Sequence, residues 1–412
     1  MNKPLFSIVI PTYNRSDLVT YAIQSVLKQT FDDFEIIVCD NCSTDDTAEV
    51  VKRFTDSRIR YVRPPQHLVI ADNWEFARSH ASGKLILMLA DDDALVATAL
   101  GRFATEHTAH RADFLFCKIA EYRDLGFPGP KRNTLECGPF SGTIRILNVD
   151  AFLSPLFSFR SQFSMHPSAF VFAQTIVNKV VARTGRFFHT NGVEYSAWPL
   201  AAIFANAIVY IDAPLCICGR TGKSGGSFLR LGNPGKKVID EFITNFDQKH
   251  KYAPLKNFTF INLWAEGVLA AKALLPNELV AYEFDEAQYL RSTMRDLVNR
   301  KELGVDVRRE IDELLSYSAK YPSLMAELAI GKTDKKTVWR KARSLVGDLG
   351  ARNLLNRIRN YQQTRKVRRG KVRSGFGISG ADFGFHDILG CAEFLTPCAR
   401  TGLKGAEATT HQ

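Results

Sequence analysis

The sequence predicts an α/β protein with a mostly parallel sheet and a C-terminal helical extension, and three observations carry that prediction. Short β-rich runs alternate with amphipathic helical patterns over the first ~90 residues, the signature of strands joined by crossover helices. The run 85–90 is continuously apolar and then stops at Asp91, Asp92 and Asp93, as expected of a strand buried on both faces at the centre of a parallel sheet. From Lys236 onward turn residues thin out and apolar positions recur at helical spacing.

Residues 6–11 form a β-rich run stopped by Pro11, and Thr12, Tyr13, Asn14 and Arg15 follow as a polar loop. Leu18, Val19, Ala22, Ile23, Val26 and Leu27 then fall on one helical face, with Ser16 as the expected N-cap. The run 34–39 is the second strand and leads into Asp40 and Asn41. Ser43 and Asp46 have the spacing that starts a helix, here expected to run through Phe54. Residues 59–62 are a short strand, residues 73–81 a helix ended by Ser82 and Gly83, and the run 85–90 the fourth strand.

Ligands of open α/β sheets gather at the carboxyl ends of the strands. Those ends here carry Thr12-Tyr13-Asn14, then Asp40-Asn41, then the Asp triplet. Three adjacent carboxylates resist joint ionisation when buried, because desolvation and mutual repulsion both oppose it. A hard divalent cation with oxygen ligands relieves both, especially one that also binds a diphosphate. No G-x-G-x-x-G follows the first strand and no G-x-x-x-x-G-K-[ST] occurs, which disfavours dinucleotide cofactors and P-loop hydrolysis.

The motifs at 7–15, 35–45 and 81–93, in this order and spacing, resemble the family 2 glycosyltransferases. The likeness is strong over roughly the first 105 residues and weakens toward residue 220. It implies a GT-A fold and inverting transfer of a sugar from a nucleotide-sugar, most simply a UDP-sugar, to a glycan or lipid-linked acceptor in bacterial surface polysaccharide assembly. It further implies that Pro11, Tyr13 and Arg15, with Thr12 and Asn14 beside them, line the base pocket. Asp40 and Asn41 face the base, Asp92, with Asp91, faces the ribose or donor sugar, and Asp93 with Asp92 binds Mn²⁺ or Mg²⁺. Asn73 matches an Asn before the fourth strand. The departure is Ala90, where the commonest pattern has Asp. A nucleotidyltransferase of similar fold would carry a Gly-rich basic loop after the first strand, which Thr12-Tyr13-Asn14 does not supply. The rival from another class is a catalytically silent binding protein.

Inversion by direct displacement needs a base for the acceptor hydroxyl, and a carboxylate is the usual choice. The resemblance sets that base in the second half of the domain near a helix start, where Glu194 is the best positional match. A carboxylate there also suits the helix dipole without any catalytic role. His166, His189 and Glu121 are further candidates, although a lone His is more often structural. Residues 112–120 and 169–172 read as strands, 175–181 as a helix and 123–145 as an irregular excursion. Residues 207–211 read as the last strand. The Gly- and Ser-rich stretch 220–226 either closes over the diphosphate through Arg220 or Lys223 or is a linker.

The net charge of +11 is uneven: residues 331–373 hold 15 Lys and Arg against two Asp, a local +13 that leaves the rest near −2. This basic amphipathic segment suggests docking on anionic lipid. A solvated helix is the plainer alternative, and nucleic acid is disfavoured because no RNA-binding motif accompanies it. The expected units are therefore a catalytic domain at 1–226, a helical extension at 227–330 and a basic tail at 331–412, with 382–395 as a short docking helix. The absence of an apolar run of 18 residues and of a signal-peptide core sets the expectation of a cytosolic protein, peripheral at the inner face of the membrane. Cys39 and Cys42 have C-x-x-C spacing, but no second pair completes a zinc site, so the eight cysteines are read as reduced, packed side chains.

Overall fold

The computed structural model describes residues 3–127, 131–163, 165–224, 250–257, 259–302, 305–322, 324 and 376–400. Strands β1 (Phe6–Thr12), β2 (Phe34–Asp40), β3 (Ile59–Val62) and β4 (Leu85–Met88) are joined by helices α1 (Ser16–Leu27), α2 (Thr47–Lys52) and α3 (Ile70–Ser79). They pair in parallel in the order β3-β2-β1-β4. Every residue of β1, β2 and β4 is buried, including Ser7 and Glu35, whose side chains bond to each other (2.6 Å). Helix α2 stops at Lys52, short of Phe54. Helix α1 begins at Ser16 itself, whose N–H donates to Asp45 Oδ2 (3.1 Å), so the expected Ser16 cap is replaced by a carboxylate from the next loop.

The second half of the sheet changes direction. After β5 (Ala94–Leu95) and α4 (Ala99–His110), β6 (Phe114–Arg123) runs on into what the sequence suggested was irregular chain. That excursion also contains β7 (Thr134–Cys137) and β8 (Ile144–Leu147), followed by α5 (Val149–Phe157). Strand β9 (Phe170–Ala173) lies between β4 and β6, antiparallel to both. Helices α6 (Gln174–Thr184) and α7 (Val193–Ile203) lead to β10 (Ile208–Arg220). β10 passes through Pro214 by bulging and then keeps pairing with β6 up to Arg220. A proline inside a strand is tolerated at such a bulge.

The core joins these halves through aromatic rings. Phe116 stacks on Phe170 at 5.0 Å, and Phe170 stacks on Trp198 of α7 at 4.3 Å. Helix α8 (Phe260–Leu274) then fastens to α7: Tyr195 and Trp264 are parallel at 5.8 Å, and Trp264 Nε1 donates to Leu156 O (3.0 Å). Gly267 permits this approach, since a Cβ there would lie 2.4 Å from Tyr195 Cβ. Helices α9 (Glu286–Glu302) and α10 (Arg308–Ser318) share a smaller core of Leu290, Leu297 and Leu314 around Tyr289.

The basic segment 331–373 and residues 401–412 lie outside the described residues. Residues 376–400 belong to the main body. Strand β11 (Phe376–Ser379) pairs antiparallel with β7, and the short helix α11 (Gly380–Phe383) leads to α12 (Ile388–Arg400). Helix α12 lies against β10 and α1 with Cys391 and Leu395 fully buried. Within the stretch 382–395 the chain is helical from Ile388 onward, and this helix docks on the sheet of its own chain. Replacing Leu395 by Ala should cost about 2–5 kcal/mol in a urea titration; a change below 0.5 kcal/mol, about what a surface site gives, would show that α12 is not part of the core.

Candidate active site

The first wall of the site is built by strand ends bonding to one another. Asn14 sits at φ 53°, a left-handed conformation that Asn tolerates better than most residues. Its N–H donates to Ser43 Oγ (2.8 Å) and its Oδ1 accepts from Thr44 N (2.8 Å). Asn41 uses its whole amide on the facing loop, donating to Leu68 O (2.8 Å) and accepting from Leu68 N (2.9 Å). Tyr13 lies half-buried against the His67 ring, 4.5 Å between centroids. Asp40 is fully buried, taking Ser43 N (2.8 Å) on Oδ1 and Tyr61 Oη with Arg63 Nη1 (3.2 Å) on Oδ2.

The triplet itself is divided. Asp91 Oδ1 accepts from Arg15 Nη1 (2.7 Å), and the same nitrogen lies 3.9 Å from Asp92 Oδ2. Arg15 Nη2 donates to Lys223 O (2.7 Å), and Lys223 Nζ pairs with Asp17 (2.8 Å). Lys223 is therefore held against Arg15 and Asp17, beside the acidic triplet. Asp93 turns inward. Gly219 N–H donates to its Oδ1 (2.9 Å), Ser168 Oγ donates to its Oδ2, and His166 Nδ1 lies 3.3 Å from Oδ2. Ser168 Oγ also accepts from Ala90 N (2.9 Å), which is where the missing Asp of the commonest pattern would stand.

Burial, with the neighbouring carboxylates, raises the Asp92 and Asp93 carboxyls well above the usual carboxylate range, against the pull of Arg15 and Arg220. Arg220 is itself buried and spends one nitrogen on Glu121 (2.8 Å). The cluster thus holds more negative charge than its own cations neutralise, and its oxygen donors fit a divalent cation.

Glu194 stands in the first turn of α7, half-buried, and burial pushes its carboxyl up to about 7. No hydrogen bond or ion pair joins it to the triplet among the described residues. Its helix is tied to the sheet through Trp198 and Phe170, two residues beyond Ser168. The approach to α7 is set by Glu75, whose Oε2 accepts from Phe187 N (2.9 Å) and Phe188 N (3.1 Å). Beside that approach lies a cavity of about 310 Å³ lined by Asp72, Arg186, His189 and Thr190 among others.

Several sequence candidates have structural employment. Asn73 is buried and accepts from Cys39 Sγ (3.4 Å), and Pro11 is a buried strand residue paired with Cys39. Cys42 Sγ donates to Pro64 O (3.4 Å), so the C-x-x-C pair shares no ligand. His189 Nε2 faces Thr184 Oγ1 (3.0 Å) and Arg186 O (2.9 Å), a local bracing role, and Glu121 is engaged by Arg220. Sequence reasoning missed Ser168 and Gly219, which no motif announces. Thr12 is buried with its Oγ1 lacking a hydrogen-bond partner among the described residues.

Residues 7–176 match the sequence profile of Glycosyl transferase family 2. Over that stretch the chain is similar to the family 2 glycosyltransferases. Over 100 residues it is 38% identical to the Escherichia coli UDP-Glc:alpha-D-GlcNAc-diphosphoundecaprenol beta-1,3-glucosyltransferase WfgD, covering 24% of this chain and 40% of that protein. Over 113 residues it is 38% identical to the Campylobacter jejuni GalNAc(5)-diNAcBac-PP-undecaprenol beta-1,3-glucosyltransferase, covering 26% of this chain and 37% of that one. The aligned stretch thus spans less than half the length of these relatives. Among solved structures, Staphylococcus aureus TarS 1–349 in complex with UDP-GlcNAc aligns with 78% of this chain and 90% of its own, at 16% identity and a TM-score of 0.45. No helix among the described residues is long and apolar enough to cross a membrane.

Gly219 is the tightest point of the domain's acidic centre, because a Cβ there would lie 1.8 Å from Asp92 O. Gly219→Ala must displace β10 or the triplet, so a loss of about 1–3 kcal/mol is expected in chemical denaturation; unchanged stability would show that this approach is relaxed in solution.

Proposed function

We propose that the protein is an inverting glycosyltransferase that moves a sugar from a UDP-sugar to a lipid-linked or glycan acceptor in bacterial surface polysaccharide assembly. The observation that carries this reading is the acidic triplet at the carboxyl end of β4, beside the ends of β1 and β2 and under the arm of Arg15. The names of the two bacterial relatives, both acting on undecaprenol-linked acceptors, support the acceptor class.

In this reading Tyr13, with His67 behind it, and Asp40 form the base pocket. Pro11, Asn14, Asn41 and Asn73 shape it by fixing the strand ends, and Thr12 offers its free hydroxyl. Asp91 orients Arg15 toward the diphosphate, and Asp92 meets the ribose or the donor sugar. Asp93 with Asp92 would hold Mn²⁺ or Mg²⁺, which neutralises charge on a departing diphosphate. Glu194 takes the proton of the acceptor hydroxyl as its oxygen bonds to the anomeric carbon and the bond from that carbon to the diphosphate oxygen breaks. The cavity beside 186–190 receives the acceptor. The division into a catalytic domain, a helical extension and a basic segment is retained, with 376–400 assigned to the first. The basic segment 331–373 would hold the enzyme at an anionic membrane surface.

Two measurements test this. Calorimetric titration with UDP should give micromolar binding that requires Mn²⁺ and is lost in Asp93→Ala, and absence of binding in both conditions would sink the donor assignment. Glu194→Gln should lower kcat by about 10²–10⁴-fold with little change in the donor KM. Because Glu194 must be ionised to act and its carboxyl lies at about 7, activity should fall below that pH. Glu194→Gln should abolish that acid limb. A limb that survives the substitution would reassign the base.

A further inference from the structure

On the inner side of the triplet, Asp93 meets two side chains that the proposed transfer does not use. His166 Nδ1 lies 3.3 Å from Asp93 Oδ2, and His166 Nε2 lies 3.1 Å from Cys218 Sγ. One ligand atom from each of the three residues falls within 4.8 Å of the others. They come from three separate segments: the turn after β4, the loop before β9 and the far half of β10. Asp93 and Cys218 are each 1% exposed, while His166 retains partial access.

We propose that Asp93, His166 and Cys218 form a mixed oxygen, nitrogen and sulfur site for one borderline-soft divalent cation of the zinc or cobalt class. The inference rests on the reading of Asp93 as a metal ligand and changes the ion named there, from Mn²⁺ or Mg²⁺ to one of a softer class. Softness is the first argument: imidazole and thiolate favour such ions over Mg²⁺, which takes oxygen ligands and keeps its waters. Support around the ligand is the second. Asp93 is oriented by Ser168 Oγ and by the Gly219 N–H, the kind of outer contact that fixes a metal-binding carboxylate. Geometry is the third. Beyond its bulge, β10 carries Cys218 Sγ to within 3.1 Å of His166 Nε2, beside Asp93. Binding exchanges the thiol proton, released to solvent, for a sulfur–metal bond.

The test is Co²⁺ titration of the reduced, purified full chain without nucleotide, followed by absorption. A single equivalent should give the intense visible bands of a low-coordinate ion and a near-ultraviolet thiolate-to-cobalt band. Cys218→Ser should abolish the near-ultraviolet band while the fold, checked by circular dichroism, persists. His166→Gln should weaken binding by about tenfold or more, and Zn²⁺ should displace Co²⁺ where Mg²⁺ does not. A weak spectrum of an all-oxygen ion that Cys218→Ser leaves unchanged would overturn the proposal, as would absence of Co²⁺ binding. UDP titration of the same samples separates the two readings: UDP binding in Cys218→Ser without the thiolate band in wild type would leave the transferase reading standing and remove this one.

Discussion

Negative charge concentrated at the end of a strand buried on both faces is the constraint around which this protein is arranged. Asp91, Asp92 and Asp93 follow β4 within a few residues, and burial opposes the ionisation of Asp92 and Asp93. Each source of relief is remote in sequence. Arg15 reaches Asp91 from the end of β1, Ser168 reaches Asp93 from the loop before β9, and Gly219 offers its backbone N–H from β10. The antiparallel insertion of β9 and the long, bulged β10 bring the latter two donors to the strand end. The mixed half of the sheet is thus a structural answer to an electrostatic demand set by the parallel half.

The parallel half was legible because each element announces itself locally. β-rich runs at 6–11 and 34–39 and the continuously apolar run 85–90 gave β1, β2 and β4, and helical periodicity gave the connections between them. The triplet and Asp40 were legible for the same reason, since position in the chain equals position at a strand end. What escaped was whatever depends on pairing. Residues 123–145 look irregular because β7 and β8 are short, partly exposed strands whose partners lie in β6, β10 and β11. Ser168 is one serine among many until β9 is seated beside β4. Asn41 and Asn73 were identified as site residues by position, yet their amides are spent on Leu68 and Cys39, so their contribution passes through the shape of the pocket wall.

The helical extension matters to the site through α7. Glu194 is carried by a helix clamped between Phe170 of the sheet and Trp264 of α8, through Trp198 on one side and Tyr195 on the other. Such packing leaves the first turn of α7 little freedom to tilt. The same burial that fixes the turn removes water from the carboxyl, which is why its proton affinity rises toward neutrality. Position and basicity of this group have one origin.

The return of the chain to its own beginning has a consequence for biogenesis. Helix α12 covers α1 and β10, and Lys28 Nζ meets Glu393, 365 positions further along the chain, at 2.8 Å. Contacts so distant in sequence form late, since the loop between them must close first. On the ribosome, the apolar faces that α12 covers wait uncovered until α12 itself has emerged, a period in which exposed hydrophobic surface invites association with other chains. The nascent protein is therefore expected to lean on chaperones, and its yield in a foreign host should respond to their supply and to lower growth temperature more than that of a sheet completed from the N-terminal half alone.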